Sequence, residues 1–485
     1  MRRTPAIVCV LVGLAVLPAL IGAQRSTSPP AAGGTRRVAP APQRPTSKPP
    51  APPPSAGVDD GVRFALTGDS IITRKLSVYR EPAFLGLVEL IRGADAAFTN
   101  LEMLFHDYEP YAMNESGGTY MRADPALASE LAWAGFDMVS RANNHTGDYG
   151  VLGMRLTTQH VAKTGLVQAG VGESLPEARE ARFLETASAR VALISTASTF
   201  SDGSRAGRTR GDVPPRPGLN PLRFTTTYVL PRERLEGLRA TLKALGMRAP
   251  DSGDALTAFT ARFVVGENPE IRTVPLKEDL DEIAGVVRNA ARLADYTIVA
   301  FHTHESAGSR PVPPQFLVTF CREMVDAGAD MLVGSGPHAL RGIEIYKGKP
   351  ILYSLGDFIF ENDTLLRLPS ENYDPLGLGA TMGVADFNDR RYSNDTRGFP
   401  ADREIWESVV AVPRWKGKTL VDLKLHPITL GFGQPRTVRG RPLLAEGDLA
   451  RKIIGDVIER SRPFGTTVVF ENGIGNVVLE KRRSQ

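Results

Sequence analysis

The sequence contains few cysteines, only two among 485 residues. Cys9 lies in an N-terminal segment that we expect to be removed, which leaves Cys321 alone in the mature chain. A single cysteine cannot form an intramolecular disulfide, so a disulfide-stabilised scaffold is excluded. Cys321 falls within residues 315–327, which have helical spacing, and we interpret it as a packed residue because free cysteines are usually buried.

Acidic residues are absent from the first 58 positions, which carry seven basic side chains. Subtracting these seven charges from the net charge of +4 leaves −3 for residues 59–485. The isoelectric point of about 9.0 therefore reflects the N-terminal segment, and the remainder is slightly acidic. The sequence has neither a basic surface pattern nor aromatic residues interleaved with basic ones, so nucleic acid is not an expected partner.

Long hydrophobic runs are absent after the N-terminus. Arg2 and Arg3 precede an apolar run at residues 6–21, which ends in small residues at Gly22 and Ala23. This order is typical of a secretory signal, predicted at residues 1–23 with cleavage after Ala23. The run is shorter than the roughly 20 residues that span a bilayer, and an uncleaved membrane anchor is the alternative. We expect an exported protein of the periplasm, the cell envelope or the extracellular space.

Residues 24–58 contain ten prolines in 35 positions. Such a segment buries too little apolar surface to fold, and its prolines keep it extended. We predict a disordered linker that tethers the folded part to the membrane or the wall.

From residue 62 onward, apolar strand patterns alternate with helical ones. Strands are predicted at 62–66, 96–99, 136–140, 191–196, 296–301 and 331–333, and helices at 82–91, 125–133, 151–164, 280–293 and 316–327. This alternation is typical of a layered α/β domain, which we place at residues 59–435. The pattern breaks at 199–272, predicted as an insertion with little core of its own beside the site, and at 362–403. Residues 436–485 are predicted to add a helix and a β-hairpin that pack on the main domain.

Polar residues that can bind metal follow the ends of successive predicted strands. They are Asp69, Asn100, Glu102, Asn144, His145, His302, His304 and His338. Four of the seven histidines of the chain belong to this set. Ligands of layered α/β folds bind in the loops beyond the carboxyl ends of strands, so we expect these side chains to surround one cavity.

Carboxylate, amide and imidazole groups together suit Mn, Fe or Zn better than an all-oxygen Mg or Ca site. Two such ions, about 3.5–4 Å apart, can clamp a phosphoryl group and activate water, so the set predicts a metal-assisted hydrolase. Simpler interpretations exist: Asp69 as a helix cap, Asn143-Asn144 as a turn, His302 and His304 as a packed pair, and His338 as a turn residue. All of them would have to hold at once for the cavity to be absent.

Several sequence blocks at these positions point to a known family. They are Leu66-Thr67-Gly68-Asp69, Phe98-Thr99-Asn100-Leu101-Glu102, Ala142-Asn143-Asn144-His145, Phe301-His302, Gly334-Ser335-Gly336-Pro337-His338 and Tyr353-Ser354-Leu355-Gly356-Asp357-Phe358. Over about residues 62–360 the chain resembles the CapA, or poly-γ-glutamate capsule biosynthesis, family, which is similar to calcineurin-like metallophosphoesterases. The resemblance implies an α/β/β/α sandwich with insertions and a β-rich C-terminal extension.

The resemblance also implies roles for individual residues. The implied metal ligands are Asp69, Asn100, Glu102, Asn144, His302 and His338, the implied catalytic residues are His145 and His304, and the implied substrate contacts are Asn143 and Glu305. His145 would protonate the leaving oxygen. The cofactor would be one or two divalent ions of Mn, Fe or Zn.

Four positions depart from the pattern of these families. Ile71 and Gly336 stand where phosphoesterases carry histidines, and Asn100 stands where they place a bridging carboxylate. Asp357 replaces the asparagine of the Tyr-Ser-Leu-Gly-Asn-Phe block. These departures leave the number of ions, one or two, open.

Two functions follow from these residues and the resemblance. The first is an exported, metal-dependent hydrolase of the phosphoesterase type in the synthesis of a capsule or envelope polymer such as poly-γ-glutamate. Its substrate would be an anionic envelope polymer or a phosphoester. The second is a non-catalytic assembly or export factor whose pocket binds an anionic surface polymer. Membrane-bound capsule synthesis proteins are the partners that both would have.

Overall fold

Two large β-sheets organise the computed structural model, which describes residues 61–479. The ten-stranded sheet contains Val62–Ile71, Ala96–Leu101, Met138–Ser140, Val167–Ala169, Asp357–Phe360, Glu407–Lys416, Thr419–Thr429, Leu443–Leu444, Val468–Glu471 and Ile474–Val477. The six-stranded sheet contains Arg182–Glu185, Arg190–Ala197, Tyr296–His302, Met331–Ser335, Ile343–Tyr346 and Lys349–Leu352. The central strands of both sheets are parallel, as expected when helices connect them.

Helices connect most of these strands. The α-helices are Pro82–Arg92, Ala128–Ala134, Gly150–Ala162, Leu175–Arg179, Arg232–Ala244, Lys277–Ala290, Gln315–Asp326, Ser370–Tyr373, Val384–Tyr392 and Gly447–Ser461. Short 3₁₀ helices lie at Pro125–Leu127, Asn144–Gly147, Asp202–Ser204, Asn362–Thr364, Asp374–Leu376, Phe399–Ala401, Arg403–Trp406 and Arg462–Phe464. In the first α-helix Phe84, Leu87, Val88 and Ile91 are buried, so its apolar residues form one stripe along the helix.

The two sheets share a hydrophobic core between their inner faces. Phe64 and Phe98 of the ten-stranded sheet belong to the same buried cluster as Leu193 and Ile298 of the six-stranded sheet. Neighbouring residues of the same strands, whose side chains point to the opposite face, pack against helices instead. The order of layers is therefore helix, sheet, sheet, helix, and the expectation of a mixed α/β fold is confirmed.

The predicted insertion has more structure than its sequence pattern indicates. A four-stranded sheet forms from Ala255–Ala258, Ala261–Val265, Phe224–Leu230 and Glu270–Pro275. Leu235, Leu242 and Leu256 are buried in a small core of their own. With Ala258 this cluster has four buried residues, so the core of the segment is small. The sheet contacts the outer helix Gln315–Asp326, where Phe224 stacks on Phe316 with ring centroids 4.1 Å apart.

The C-terminal part extends the ten-stranded sheet. The hairpin of Val468–Glu471 and Ile474–Val477 pairs with Thr419–Thr429. Ile453 and Ile454 of the last α-helix are buried in the core between the sheets. The predicted helix and hairpin thus lie against the main sheets.

The predicted signal (1–23) and linker (24–58) lie outside the described residues, so both stay predictions. Within residues 61–479, no helix combines the length and the apolar character that a membrane span requires.

Candidate metal centre

The predicted site residues meet where the central strands of both sheets end. Asp69 lies near the end of Val62–Ile71, and Asn100 lies beside it on Ala96–Leu101. His302 ends its strand in the facing sheet, and its Nδ1 atom lies 3.5 Å from Oδ1 of Asp69. All three side chains are buried. These side chains, which are distant along the chain, therefore meet in one buried cluster.

Gly68 allows the strands that carry Asp69 and Asp357 to approach closely. Asp69 pairs with Asp357 in parallel register, and the backbone N–H of Asp69 donates to the carbonyl of Gly356 at 3.0 Å. A Cβ atom at Gly68 would lie only 1.7 Å from that carbonyl oxygen. Only glycine at position 68 therefore permits the two carboxylates to lie side by side without displacing the backbone.

We expect Gly68→Ala to lower the free energy of unfolding by about 1–3 kcal/mol, the usual cost of forcing a group into a packed interior. Chemical denaturation monitored by circular dichroism measures the change. Gly237→Ala is the matched control, because Gly237 lies in a helix with no atom within 4 Å of the added methyl group. That variant should be neutral or slightly stabilised, by up to about 1 kcal/mol. Equal stability of the two variants would contradict the proposed close approach.

Hydrogen bonds hold the side chains of Asp69 and Asn100 in place. The amide nitrogen of Asn100 donates to Oδ1 of Asp69 at 2.6 Å, and the hydroxyl of Ser140 donates to the Asn100 amide oxygen at 2.5 Å. The backbone N–H of Gly336 donates to Oδ2 of Asp69 at 2.8 Å. Burial raises the pKa of Asp69, but its contacts with His302 and with the Gly336 N–H outweigh burial and hold the pKa below its usual value. Asp69 is therefore an ionised carboxylate.

Glu102 is the least satisfied polar group of the site. Its carboxylate is fully buried, and neither oxygen has a hydrogen-bond partner. Oε1 lies 3.7 Å from Nε2 of His145 and 3.8 Å from Nε2 of His302. Burial, together with the charges of Asp69 and Asp357, raises the pKa of Glu102 well above its usual value. An unpaired carboxylate in such surroundings is costly, and a bound cation would remove the cost.

The donor atoms around Glu102 are close enough to share an ion. Ligand atoms of Asp69, Glu102, His338 and Asp357 lie within 4.8 Å of one another, as do those of Glu102, His304 and His338. Carboxylate and neutral imidazole are suitable ligands for Mn, Fe or Zn. The donors and the unpaired oxygens of Glu102 therefore fit a divalent cation.

His338 and Asp357 form a buried pair beside Glu102. Nδ1 of His338 lies 2.8 Å from Oδ1 of Asp357, while Oδ2 of Asp357 has no hydrogen-bond partner. Burial lowers the pKa of His338, but the neighbouring carboxylate of Asp357 raises it by more than burial lowers it. The pKa of His338 is therefore above its usual value. For Asp357, burial raises the pKa to about 6 even though His338 acts in the opposite direction.

His304 follows the end of the strand Tyr296–His302 and lies beside His302. Their Nε2 atoms are 3.1 Å apart, and the backbone N–H of His304 donates to the hydroxyl of Thr199 at 2.9 Å. Burial, together with the charges of His302 and His338, holds the pKa of His304 well below its usual value. His304 is therefore a neutral imidazole, the form that can bind a metal.

His145 is held by a short helical turn at the edge of the site. It lies in the 3₁₀ helix Asn144–Gly147, and its backbone N–H donates to the side-chain oxygen of Asn143 at 3.1 Å. Its Nδ1 atom lies 2.7 Å from Oδ2 of Asp148. Backbone N–H groups of Gly117 and Met121 also donate to Asp148. Asp148 thus fixes the imidazole so that Nε2 points to Glu102.

Comparison with known proteins places this site in a family. A family model described as "Bacterial capsule synthesis protein PGA_cap" matches residues 63–362, more than half of the chain. The chain belongs to this family. The resemblance drawn from the sequence blocks is therefore confirmed.

Three relatives are similar to this chain, and two of them are named CapA. An uncharacterized protein of Sinorhizobium fredii (strain NGR234), y4sH, is 36% identical over 447 residues, which are 88% of this chain and 95% of that protein. The PGA biosynthesis protein CapA of Bacillus subtilis is 26% identical over 62% of this chain and 64% of its own length. The capsule biosynthesis protein CapA of Bacillus anthracis is 24% identical over 56% of this chain and 52% of its own length.

Three predicted residues of this PGA_cap chain have side chains that are engaged within the protein. Asn143 donates to the carbonyl of Leu101 at 2.8 Å and caps the His145 turn. Asn144 donates to the carbonyl of Gly117 at 2.9 Å, and its amide oxygen is buried without a partner. Substrate contact by Asn143 and metal binding by Asn144 stay predictions.

Glu305 is the third predicted site residue whose side chain is engaged within the protein. Its Oε2 atom accepts hydrogen bonds from three hydroxyl groups, those of Ser198, Thr199 and Thr303. Because Thr199 also accepts the backbone N–H of His304, Glu305 helps to hold the His304 loop in place. Its predicted contact with substrate stays a prediction.

Two further residues of the PGA_cap site were not among the sequence candidates. Asp148 follows His145 by three residues, and this short spacing was the available signal. Asp357 was noted only as a departure from the family pattern. The strand pairing places Asp357 next to Asp69 and so identifies it as a residue of the site.

Proposed function

We propose that this chain is a divalent-metal-dependent hydrolase of the phosphoesterase type, acting in the synthesis of an anionic capsule or envelope polymer. The observation that carries the proposal is the buried Glu102 carboxylate, which has no hydrogen-bond partner and lies among carboxylate and imidazole donors. The order of layers, with helices outside two facing sheets, supports a metallophosphoesterase-like sandwich.

Asp69, Glu102 and His338 would hold the ion, with His304 close by. An ion bound there would polarise a phosphoryl oxygen and lower the pKa of an attacking water. The two sets of donors share Glu102 and His338, which favours one ion over two. Asn100, the residue in the bridging position, is already bonded to Asp69 and Ser140, which also favours one ion.

His145 would act as the general acid. Asp148 accepts the Nδ1 proton, so the opposite nitrogen, Nε2, faces the site and can carry the proton that is transferred. The carboxylate of Asp148 stabilises the positively charged imidazolium before the transfer. The proton would go to the leaving oxygen of the substrate, as in general acid catalysis by histidine.

The names of relatives guide the choice of substrate. Two relatives are called capsule or PGA biosynthesis proteins. For this chain we propose an anionic envelope polymer, or a phosphoester formed during its synthesis, and membrane-bound capsule synthesis proteins as partners. The predicted signal and linker support export to the cell envelope.

A non-catalytic role in polymer assembly or export is the second candidate. The observation in its favour is that several donors of the site bond to one another. His302 lies 3.0 Å from the Ser335 hydroxyl at Nδ1 and 3.1 Å from His304 at Nε2. A site with so few unengaged donors could bind the carboxylates of a polymer rather than catalyse hydrolysis.

Metal content and hydrolysis together separate the two candidates. Elemental analysis of the purified protein should find Mn, Fe or Zn at about one ion per chain, and bis(p-nitrophenyl) phosphate should be hydrolysed only before chelation. His338→Ala should lower both, because His338 belongs to both sets of clustered donor atoms. Metal-free protein that retains binding to poly-γ-glutamate would contradict the hydrolase and support the assembly factor.

A further inference from the structure

We propose that Asp357 is a direct ligand of the metal ion and also orients His338, the ligand next to it. This inference rests on the proposed function, since it requires that the site holds a metal. It assigns two tasks to the two oxygens of one carboxylate.

The contacts of Asp357 separate these tasks. Oδ1 receives the hydrogen bond of His338 Nδ1 at 2.8 Å. With Nδ1 engaged in this way, Nε2 is the nitrogen that can bind an ion, and hydrogen bonds of this kind commonly orient metal-binding histidines. Oδ2 has no partner, although the side chain is fully buried.

The strand pairing places the Asp357 carboxylate next to that of Asp69. Asp357 pairs with Asp69 in parallel register, which places both carboxylates at the same level of the sheet. Ligand atoms of both lie within 4.8 Å of Glu102 and His338. Glu102 provides the independent observation, because both of its buried oxygens also lack partners. Three carboxylates this close repel one another unless a cation lies between them.

The same arrangement explains how the centre can function with Asn100 in place of a carboxylate. The amide of Asn100 is bonded to Asp69 and Ser140 and contributes no negative charge. Asp357 supplies a negative oxygen from the other neighbour of the Asp69 strand. The ion would then lie on the side of Glu102, His338 and Asp357.

Asp357→Asn tests the assignment, because asparagine keeps an oxygen that can accept the His338 hydrogen bond but removes the negative charge. Isothermal titration of the full-length protein with MnCl₂ after chelator treatment measures the affinity. If Asp357 is a ligand, Asp357→Asn and Asp357→Ala should both weaken Mn²⁺ binding at least tenfold. Full affinity in Asp357→Asn with a loss only in Asp357→Ala would overturn the ligand role and leave the orienting role.

Thermal unfolding in excess EDTA gives a second readout. Without metal, Asp357→Asn loses both the repulsion from the adjacent carboxylates and the attraction to His338, so the unfolding temperature of each protein in EDTA is its own reference. In saturating Mn²⁺, Asp357→Asn should gain less stability than the native protein. An equal Mn²⁺-dependent gain in both proteins would overturn the proposal.

The two proposals fail in different ways. If the native protein binds no Mn²⁺, Zn²⁺ or Fe²⁺, the proposed function fails and the role of Asp357 fails with it. If the native protein binds metal and Asp357→Asn binds it equally well, only the role of Asp357 fails.

Discussion

Replacement of Glu102 by glutamine is expected to reduce bound metal from about one ion per chain to a trace. The substitution preserves the size of the side chain and removes the only carboxylate of the site whose oxygens are both without partners. A neutral amide oxygen is a much weaker ligand than a carboxylate for a divalent ion. Elemental analysis of the purified variant measures the loss, and metal-dependent hydrolysis should disappear with it.

A matched control is available in Glu305→Gln. Glu305 lies near the same strand end, but its Oε2 atom is bonded to three hydroxyl groups and is absent from both sets of clustered metal donors among residues 61–479. This variant should keep its metal. In EDTA, Glu102→Gln should be at least as stable as the native protein, because it removes a buried carboxyl group whose ionisation burial and the charges of Asp69 and Asp357 oppose. A stoichiometric ion in purified Glu102→Gln would show that another set of residues holds the metal.

The sequence predicted the strands and helices around the site more accurately than the insertion. The strand predicted at 296–301 is observed at Tyr296–His302, and the helix predicted at 82–91 is observed at Pro82–Arg92. The strand is buried throughout and the helix buries one apolar stripe, so the hydrophobic pattern of each is strong. The insertion's own sheet was missed because its strands are mostly part-buried or exposed, with few fully buried residues, so no strong hydrophobic pattern marks them.

For the site, residue types at strand ends predicted which side chains would meet. The sequence could not indicate which atoms would stay without partners, because that depends on contacts between segments distant along the chain. Asp357 is the clearest case, since it lies 288 positions after Asp69 and joins the site only through strand pairing. Glu305 shows the converse, because its neighbours Ser198 and Thr199 come from another strand end and engage its carboxylate.

With an alkyl phosphodiester as substrate, replacement of His145 by glutamine is expected to lower kcat by about 10²–10⁴-fold, the usual contribution of general acid catalysis, while the metal content stays unchanged. The loss should depend on the leaving group. p-Nitrophenolate leaves readily without a proton, whereas an alkoxide must be protonated as it leaves. The decrease should therefore be small with bis(p-nitrophenyl) phosphate and large with an alkyl phosphodiester.

For Asp148→Asn, kcat should fall with the same dependence on leaving group but to a lesser degree. Asp148 acts only through its contact with Nδ1 of His145, which orients the imidazole and stabilises its positively charged form. His160→Gln is the control, since His160 lies on the helix Gly150–Ala162 and takes no part in either donor set. Initial rates with both substrates give the comparison. If His145→Gln slowed both substrates equally, His145 would position substrate or metal rather than donate a proton, because only proton donation distinguishes a good leaving group from a poor one.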